Sequence, residues 1–229
     1  KTGRNSVVLL DDFHHLASLK PEEDLSLLIG YLLSAFQIRR TPHLVTGAST
    51  STMQRLFKTA ELPGSLEVYP LLGLDSTNAT RLLEGLCERF DVPLEKELAS
   101  AIVLELDSNP HYIRILVQSA RRTNQDLLTV RKFANLYTSE LGRGNLHLYF
   151  SSLISSAGLS SIEKIKAIEL LHAYSRGTLD FSALHSFRIG EAREGWDPER
   201  ILLALSELAL INYDLGVISP IEDNVLRDW

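Results

Sequence analysis

Two acids stand at the end of an apolar run. In VVLLDDFHHL, residues 7–16, four aliphatic side chains lead directly into Asp11 and Asp12. The carboxyl end of a parallel strand is where α/β proteins bind ligands. A carboxylate one residue past such a strand, here Asp11, is a hard oxygen donor suited to magnesium, directly or through water. Asp12 points differently and can take a proton from an attacking water. The alternative is that the two acids cap the helix that follows. His14 and His15 hint at a metal, but adjacent residues on a helix do not face one site. Arg121 and Arg122 either reach a phosphate or end a solvated helix. No Gly-x-Ser-x-Gly elbow occurs, so a serine hydrolase is not indicated.

The elements that must position these groups follow from the apolar pattern. Residues 7–10 are continuous rather than alternating, which predicts a strand covered on both faces. Pro21 opens a helix with Leu25, Leu28, Ile29, Leu32, Leu33 and Phe36 on one face. A second strand covers 43–47, a weaker helix 50–58 and a third strand 66–71. Strand and helix alternating in this way predict a parallel sheet.

From Asp75 the pattern is helical. Asp75 caps a helix facing inward through Ala79, Leu82, Leu83, Leu86 and Phe90. Pro93 starts the next, with Leu98, Ala101, Ile102 and Leu106 inward. SNPHYIRILVQSARR gives a third, with Ile113, Leu116, Val117 and Ala120 inward, and a fourth runs over 130–141. GRGN, residues 142–145, reads as a linker.

Beyond it, one helical face is formed by Leu146, Tyr149, Phe150, Leu153 and Ile154. Another is formed by Ile162, Ile165, Ile168 and Leu171, and a short helix is expected over 181–187. Asp197 caps a helix with Pro198 in its first turn and Ile201, Leu202, Leu205 and Leu208 inward. Residues 210–221 read as a hairpin turning at 214–216. EDNVLRDW closes the chain, as a short helix. Helices followed by a hairpin are the pattern of a winged helix.

The bulk numbers exclude several classes. The chain has 229 residues, 45% of them hydrophobic, enough for a packed core and against disorder. Its apolar runs fall short of the ~20 residues that span a bilayer, and no signal peptide is visible. Its single cysteine, Cys87, rules out an internal disulfide and a zinc cluster, and reads as a packed thiol. These features lead to the expectation of a cytoplasmic protein with no membrane partner. The net charge of −6 argues against a phosphate-backbone binder.

Residues 7–16 resemble the Walker B motif of P-loop NTPases. HLVTGASTSTMQRLF, followed by LEVYPLLGL, resembles the sensor 1 strand and the strand after it. ISPIEDNVLRDW resembles a closing phrase after a winged helix. In order along the chain, these stretches are similar to the AAA+ and STAND branch, and within it to the archaeal-type ATPases.

The resemblance implies ATP or ADP and magnesium as cofactors, with Asp11 on the metal and Asp12 positioning water. Thr46, with Ser49 as the reserve, would contact the γ-phosphate or the water; a plain turn at Gly47 is the alternative. SNP, residues 108–110, lies where STAND proteins carry a Gly-x-Pro motif. Asn109 and Pro110 would meet the adenine there, although Ser108 replaces the glycine. A helix start capped by Asn109 is the competing reading. Arg114 stands on the helix that carries sensor 2 arginines in AAA+ relatives. Glu222 replaces the histidine of a Met-His-Asp phrase, and a carboxylate there would repel phosphate.

The implied fold is an α/β partial parallel sheet, a P-loop NTPase core without its N-terminal part. An all-α lid and a winged-helix domain follow. The expected domains are residues 1–73, 74–142 and 143–229. No Gly-x-x-x-x-Gly-Lys-Ser/Thr occurs in the sequence. The expectation is that the chain begins after that loop, the alternative being a degenerate ATPase.

The implied function is a nucleotide-dependent regulatory switch. ATP hydrolysis would belong to the intact protein and not to residues 1–229 alone. An effector protein or a second copy are the partners this implies. Two rivals stand beside it. One is a DNA-binding winged helix of replication-initiator type; the helix from Asp197 would enter the groove, but its acids, Asp197, Glu199 and Glu207, disfavour DNA. The other is a non-catalytic interaction scaffold.

Overall fold

The structure, a computed structural model, describes residues 7–11, 13, 27, 28, 30–32, 34, 43–47, 53, 69, 73–176, 196–214, 217–219 and 223–229. The chain divides into two compact units: Lys1–Pro70 with Ser206–Ala209, and Leu71–Leu205 with Leu210–Trp229.

In the first unit, β1 (Val8–Leu10) and β2 (His43–Val45) pair in parallel, with Val8 opposite His43, Leu9 opposite Leu44 and Leu10 opposite Val45. The ladder continues past the strands, since Thr46 N–H donates to the Leu10 carbonyl at 2.9 Å and Phe13 N–H to the Thr46 carbonyl at 2.8 Å. Residues 27, 28, 30–32 and 34 are helical. The expectation that residues 7–10 are covered on both faces is not met: Val7 is 64% exposed and Leu9 60%. Among the described residues β1 has one strand neighbour, β2. Leu28, expected to face inward, is also exposed. The expected third strand and the helix at 50–58 lie outside the described residues, apart from Tyr69 and Met53.

The second unit is mostly helical. Its described helices are α1 (Ser76–Arg89), α2 (Lys96–Glu105), α3 (Pro110–Arg122), α4 (Val130–Arg143), α5 (Asn145–Ser156), α6 (Ser161–Ser175), α7 (Pro198–Glu207, except for its last two residues) and α8 (Asn224–Asp228). β3 (Asn212–Asp214) and β4 (Val217–Ser219) form an antiparallel pair between α7 and α8.

Side-chain caps explain most helix starts. Asp75 accepts from Asn78 N–H at 2.8 Å. Asn109 accepts from His111 N–H at 2.9 Å with Pro110 in the first turn. Thr129 caps α4, and Asp197 accepts from Glu199 and Arg200 N–H. Ser160 and Glu163 cap α6 reciprocally, as a capping box. The core is Leu83, Ile102, Leu106, Ile113, Leu116, Leu136, Phe150 and Ile201 with their neighbours. Cys87 is buried there, and burial pushes its thiol up to about 11.

Three expectations fail here, the first being that Ala101, expected inward, is exposed on α2. Ile162, Ile165 and Ile168 point outward on α6, while Glu163, Ala167, Leu170 and Leu171 are buried. Both sets are helical in spacing, and the buried one includes Glu163, which closes the capping box with Ser160 and lies 3.6 Å from Arg200 of α7. Residues 142–145 form no linker, since α4 runs to Arg143 and α5 begins at Asn145. Gly144 alone separates them, because a buried carboxylate does the joining. Glu140, 3% exposed, accepts from Ser119 Oγ and, at 2.6 Å, from Asn145 N–H at the start of α5.

Among the described residues, no helix is long and apolar enough to cross a membrane.

Candidate functional site

β1 and β2 run in the same direction, so their carboxyl ends lie together. The register sets Leu10 level with Val45, and the next residue on each strand is polar: Asp11 and Thr46. The structure brings these two together, with Thr46 Oγ1 donating to Asp11 Oδ1. Asp11 is exposed and Thr46 half-buried, so the carboxylate faces solvent while the hydroxyl is held by the strand tip. The Thr46 backbone is tied on both sides, to Leu10 and to Phe13, and Phe13 is itself buried. The result is a carboxylate and a hydroxyl, two hard oxygens, fixed at one sheet end. Among the described residues no three His, Cys, Asp or Glu side chains converge as a metal cage. Magnesium does not ask for one, since it is usually held by one or two carboxylates together with substrate phosphates.

Asp12, His14, His15, Ser49 and Glu222 lie outside the described residues.

The remaining candidates stand in the second unit. Asn109 spends its side-chain oxygen capping α3, Pro110 occupies the first turn and is exposed, and Arg114 is exposed on the same helix. His111 lies 4.7 Å from Tyr149, centroid to centroid, and burial followed by the nearby Arg114 charge lowers its pKa. Arg121 lies over the Phe90 ring at 5.1 Å, and Arg122 is 3.5 Å from Glu140.

From the sequence, Ser108 stands where a Gly-x-Pro motif has its glycine, and Asp107 before it had no expected role. Asp107 and Ser108 both adopt positive φ, 51° and 54°. Asp107 accepts two hydrogen bonds from Asn224, one from the backbone N–H and one from Nδ2 at 2.8 Å. Next to it, Asp223 accepts from Tyr112 Oη at 2.7 Å. Burial, and then the facing Asp223 carboxylate, push Asp107 up to about 6 against the lowering effect of the Asn224 N–H. Burial also raises the Tyr112 hydroxyl far above the usual phenol range, Asp223 adding to it. The signal that existed for this turn was compositional: Asp and Asn tolerate the left-handed region better than most residues.

The fold has a solved counterpart. The chain is similar to the Walker-type ATPase PABY2304 of Pyrococcus abyssi, with a TM-score of 0.66 and 13% sequence identity. The match covers 96% of this chain and 61% of that one, so this chain spans about three fifths of the length of its counterpart. A second match is the RuvB Holliday junction branch migration motor of Thermotoga maritima, at 16% identity and a TM-score of 0.46, covering 96% of this chain and 68% of that one. No protein-family model matches the chain, and no curated protein does. At 13% identity the likeness to the Pyrococcus abyssi protein is one of fold alone.

Proposed function

We propose that the chain is part of an ATP-binding switch of the AAA+ and STAND kind, and that Asp11 and Thr46 are its Walker B and sensor 1 residues. The observation that carries this reading is the hydrogen bond between Thr46 and Asp11 across the carboxyl ends of a parallel pair. A carboxylate and a hydroxyl are hard oxygens and fit magnesium, which would be held by Asp11 and would neutralise phosphate charge there. Thr46 holds the Asp11 carboxylate in one orientation and offers its hydroxyl to a phosphate oxygen or a water.

Asp12, next in sequence, takes the proton of the attacking water. Asn109 and Pro110 meet the adenine base, and Arg114 approaches the phosphates in the manner of a sensor 2 arginine. Residues 74–142 form the lid and 143–229 the winged helix, and an effector protein or a second copy reads the nucleotide state.

A DNA-binding role for α7 has no comparable support. Its one basic side chain, Arg200, donates to the Gly158 carbonyl at 2.6 Å and pairs with Glu163 at 3.6 Å, while Glu199 accepts from Tyr213. The basic group that a phosphate would need is committed within the protein.

The test is Asp12→Asn in the full product of the gene. An amide can hold a water but cannot take its proton, so ATP binding stays and turnover falls by about 10²–10⁴. Unchanged turnover removes Asp12 from the chemistry.

A further inference from the structure

The turn between α2 and α3 is held in a conformation its residues do not favour. Ser108 N–H donates to the Val103 carbonyl at 2.9 Å, Asp107 N–H to Leu104 at 3.1 Å and Asn109 N–H to Leu106 at 2.9 Å. This is a helix end of the kind usually closed by one left-handed glycine. Here two successive residues are left-handed and neither is glycine. Such pairs persist only when the surroundings over-determine them.

The surroundings are the last residues of the chain. Asn224 bonds Asp107 through both its backbone and its side chain, and its Nδ2 also reaches the Leu104 carbonyl at 3.4 Å. Asp223 caps α8 by accepting from Leu226 N–H at 2.9 Å, and accepts from Tyr112 with its other oxygen. The two residues thus grip the chain on either side of Asn109 and Pro110. The rest of the segment is anchored to the helical core. Val225 and Leu226 are buried, and Tyr137 Oη donates to Asp228 at 3.1 Å. Trp229 donates to His147 Nδ1 at 3.1 Å, and its ring lies 5.2 Å from that of Phe150.

We propose that residues 223–229 are a clasp that holds the Asp107–Tyr112 turn in its strained form. With the clasp withdrawn, Asp107 and Ser108 lose what offsets their strain, and the start of α3 shifts with them. Only the consequence for nucleotide contact through Asn109 and Pro110 rests on the function proposed above. The clasp does not, and its test contains no nucleotide, so the two fail separately.

The test is amide hydrogen exchange on the whole chain. Asn224→Ala removes the side-chain donor to Asp107 and leaves the backbone intact, so the Ser108 and Asn109 amides are expected to exchange about tenfold faster. Coupling is reciprocal. Asp107→Ala is therefore expected to speed the Leu226 and Arg227 amides by a similar factor. Tyr112→Phe, a milder change, is expected to act on the same amides with the fold intact. In all three the α1 amides, such as Leu83 and Cys87, keep their protection. Two results overturn the proposal: an Asp107→Ala protein in which Leu226 and Arg227 are unchanged, or variants in which α1 loosens as much as the turn.

Discussion

Gly144 should resist substitution, for reasons of space rather than backbone freedom. Its φ of −94° and ψ of −158° are open to any residue. What forbids a side chain is Glu140, since a Cβ at 144 would stand 2.5 Å from both carboxylate oxygens. Two responses are open to Gly144→Ala. In the first, Glu140 keeps its hydrogen bonds and the backbone at 144 is pushed away from it, which costs about 1–3 kcal/mol, as overpacking does. In the second, the carboxylate swings out and abandons Ser119 Oγ and Asn145 N–H. Hydrogen bonds to a charged group contribute about 1.5–3 kcal/mol each, so this route costs more even after the carboxylate regains water. The cheaper route wins, and the expected loss is about 1–3 kcal/mol. Urea denaturation followed by helical circular dichroism measures it, with an unchanged m-value as the check on the comparison. The cause is isolated by a double-mutant cycle. In a Glu140→Ala background the obstacle is gone, and Gly144→Ala should cost below about 1 kcal/mol. The same loss with and without Glu140 would refute the reasoning.

Two further outcomes are expected. Asp107 titrates near 6 in the folded chain against 3.8 for the ordinary group, because of burial and the facing Asp223, with Tyr112 and the Asn224 donors as its other neighbours. A raised carboxylate contributes stability below its unfolded pKa and loses it as pH rises through the folded value. The chain should therefore gain stability relative to Asp107→Asn on going from pH 7.5 to pH 5, and parallel denaturation curves for the two proteins across that window would contradict this. Calorimetry of residues 1–229 with Mg-ATP should show no tight binding, since the sequence has no lysine-bearing glycine-rich loop for the phosphates; a micromolar Kd would mean that the nucleotide site has been misplaced.

The helical unit was largely legible from residue type, because its boundaries are set by local chemistry. Asp75, Asn109 with Pro110, and Asp197 each carry the cap that their position in the sequence announces. What local chemistry does not contain is the choice between two apolar faces. On α6 the isoleucines at 162, 165 and 168 and the set Glu163, Ala167, Leu170 and Leu171 are both helical in period. The isoleucines are the more hydrophobic, yet they face out. The buried face carries Glu163, which is bound to Ser160 N–H and lies near Arg200 on α7, a partner more than thirty residues away. The join at 142–145 failed in the same way. A glutamate in the last turn of a helix opposes the helix dipole, and Glu140 is tolerated because it caps the next helix. An acid at a helix end, four residues before a glycine, was the available signal, and counting glycines concealed it.

The candidate site was legible for a different reason: it depends on register more than on any one residue. An apolar run that ends in acids and a second strand that ends in threonine are visible in the sequence, and each alone has an ordinary explanation. Their juxtaposition is what has chemical content. Side chains alternate faces along a strand, so a slip of one residue between β1 and β2 would set Val45 or Gly47 level with Asp11 and leave the carboxylate without a hydroxyl. The observed register, Leu10 with Val45, sets Asp11 level with Thr46. The backbone bond from Thr46 N–H to the Leu10 carbonyl and the side-chain bond from Thr46 Oγ1 to Asp11 then hold the same alignment twice. Replacing Thr46 by valine keeps the first and removes the second. The pairing of the strands therefore survives that change, while the Asp11 carboxylate loses the hydrogen bond from Thr46.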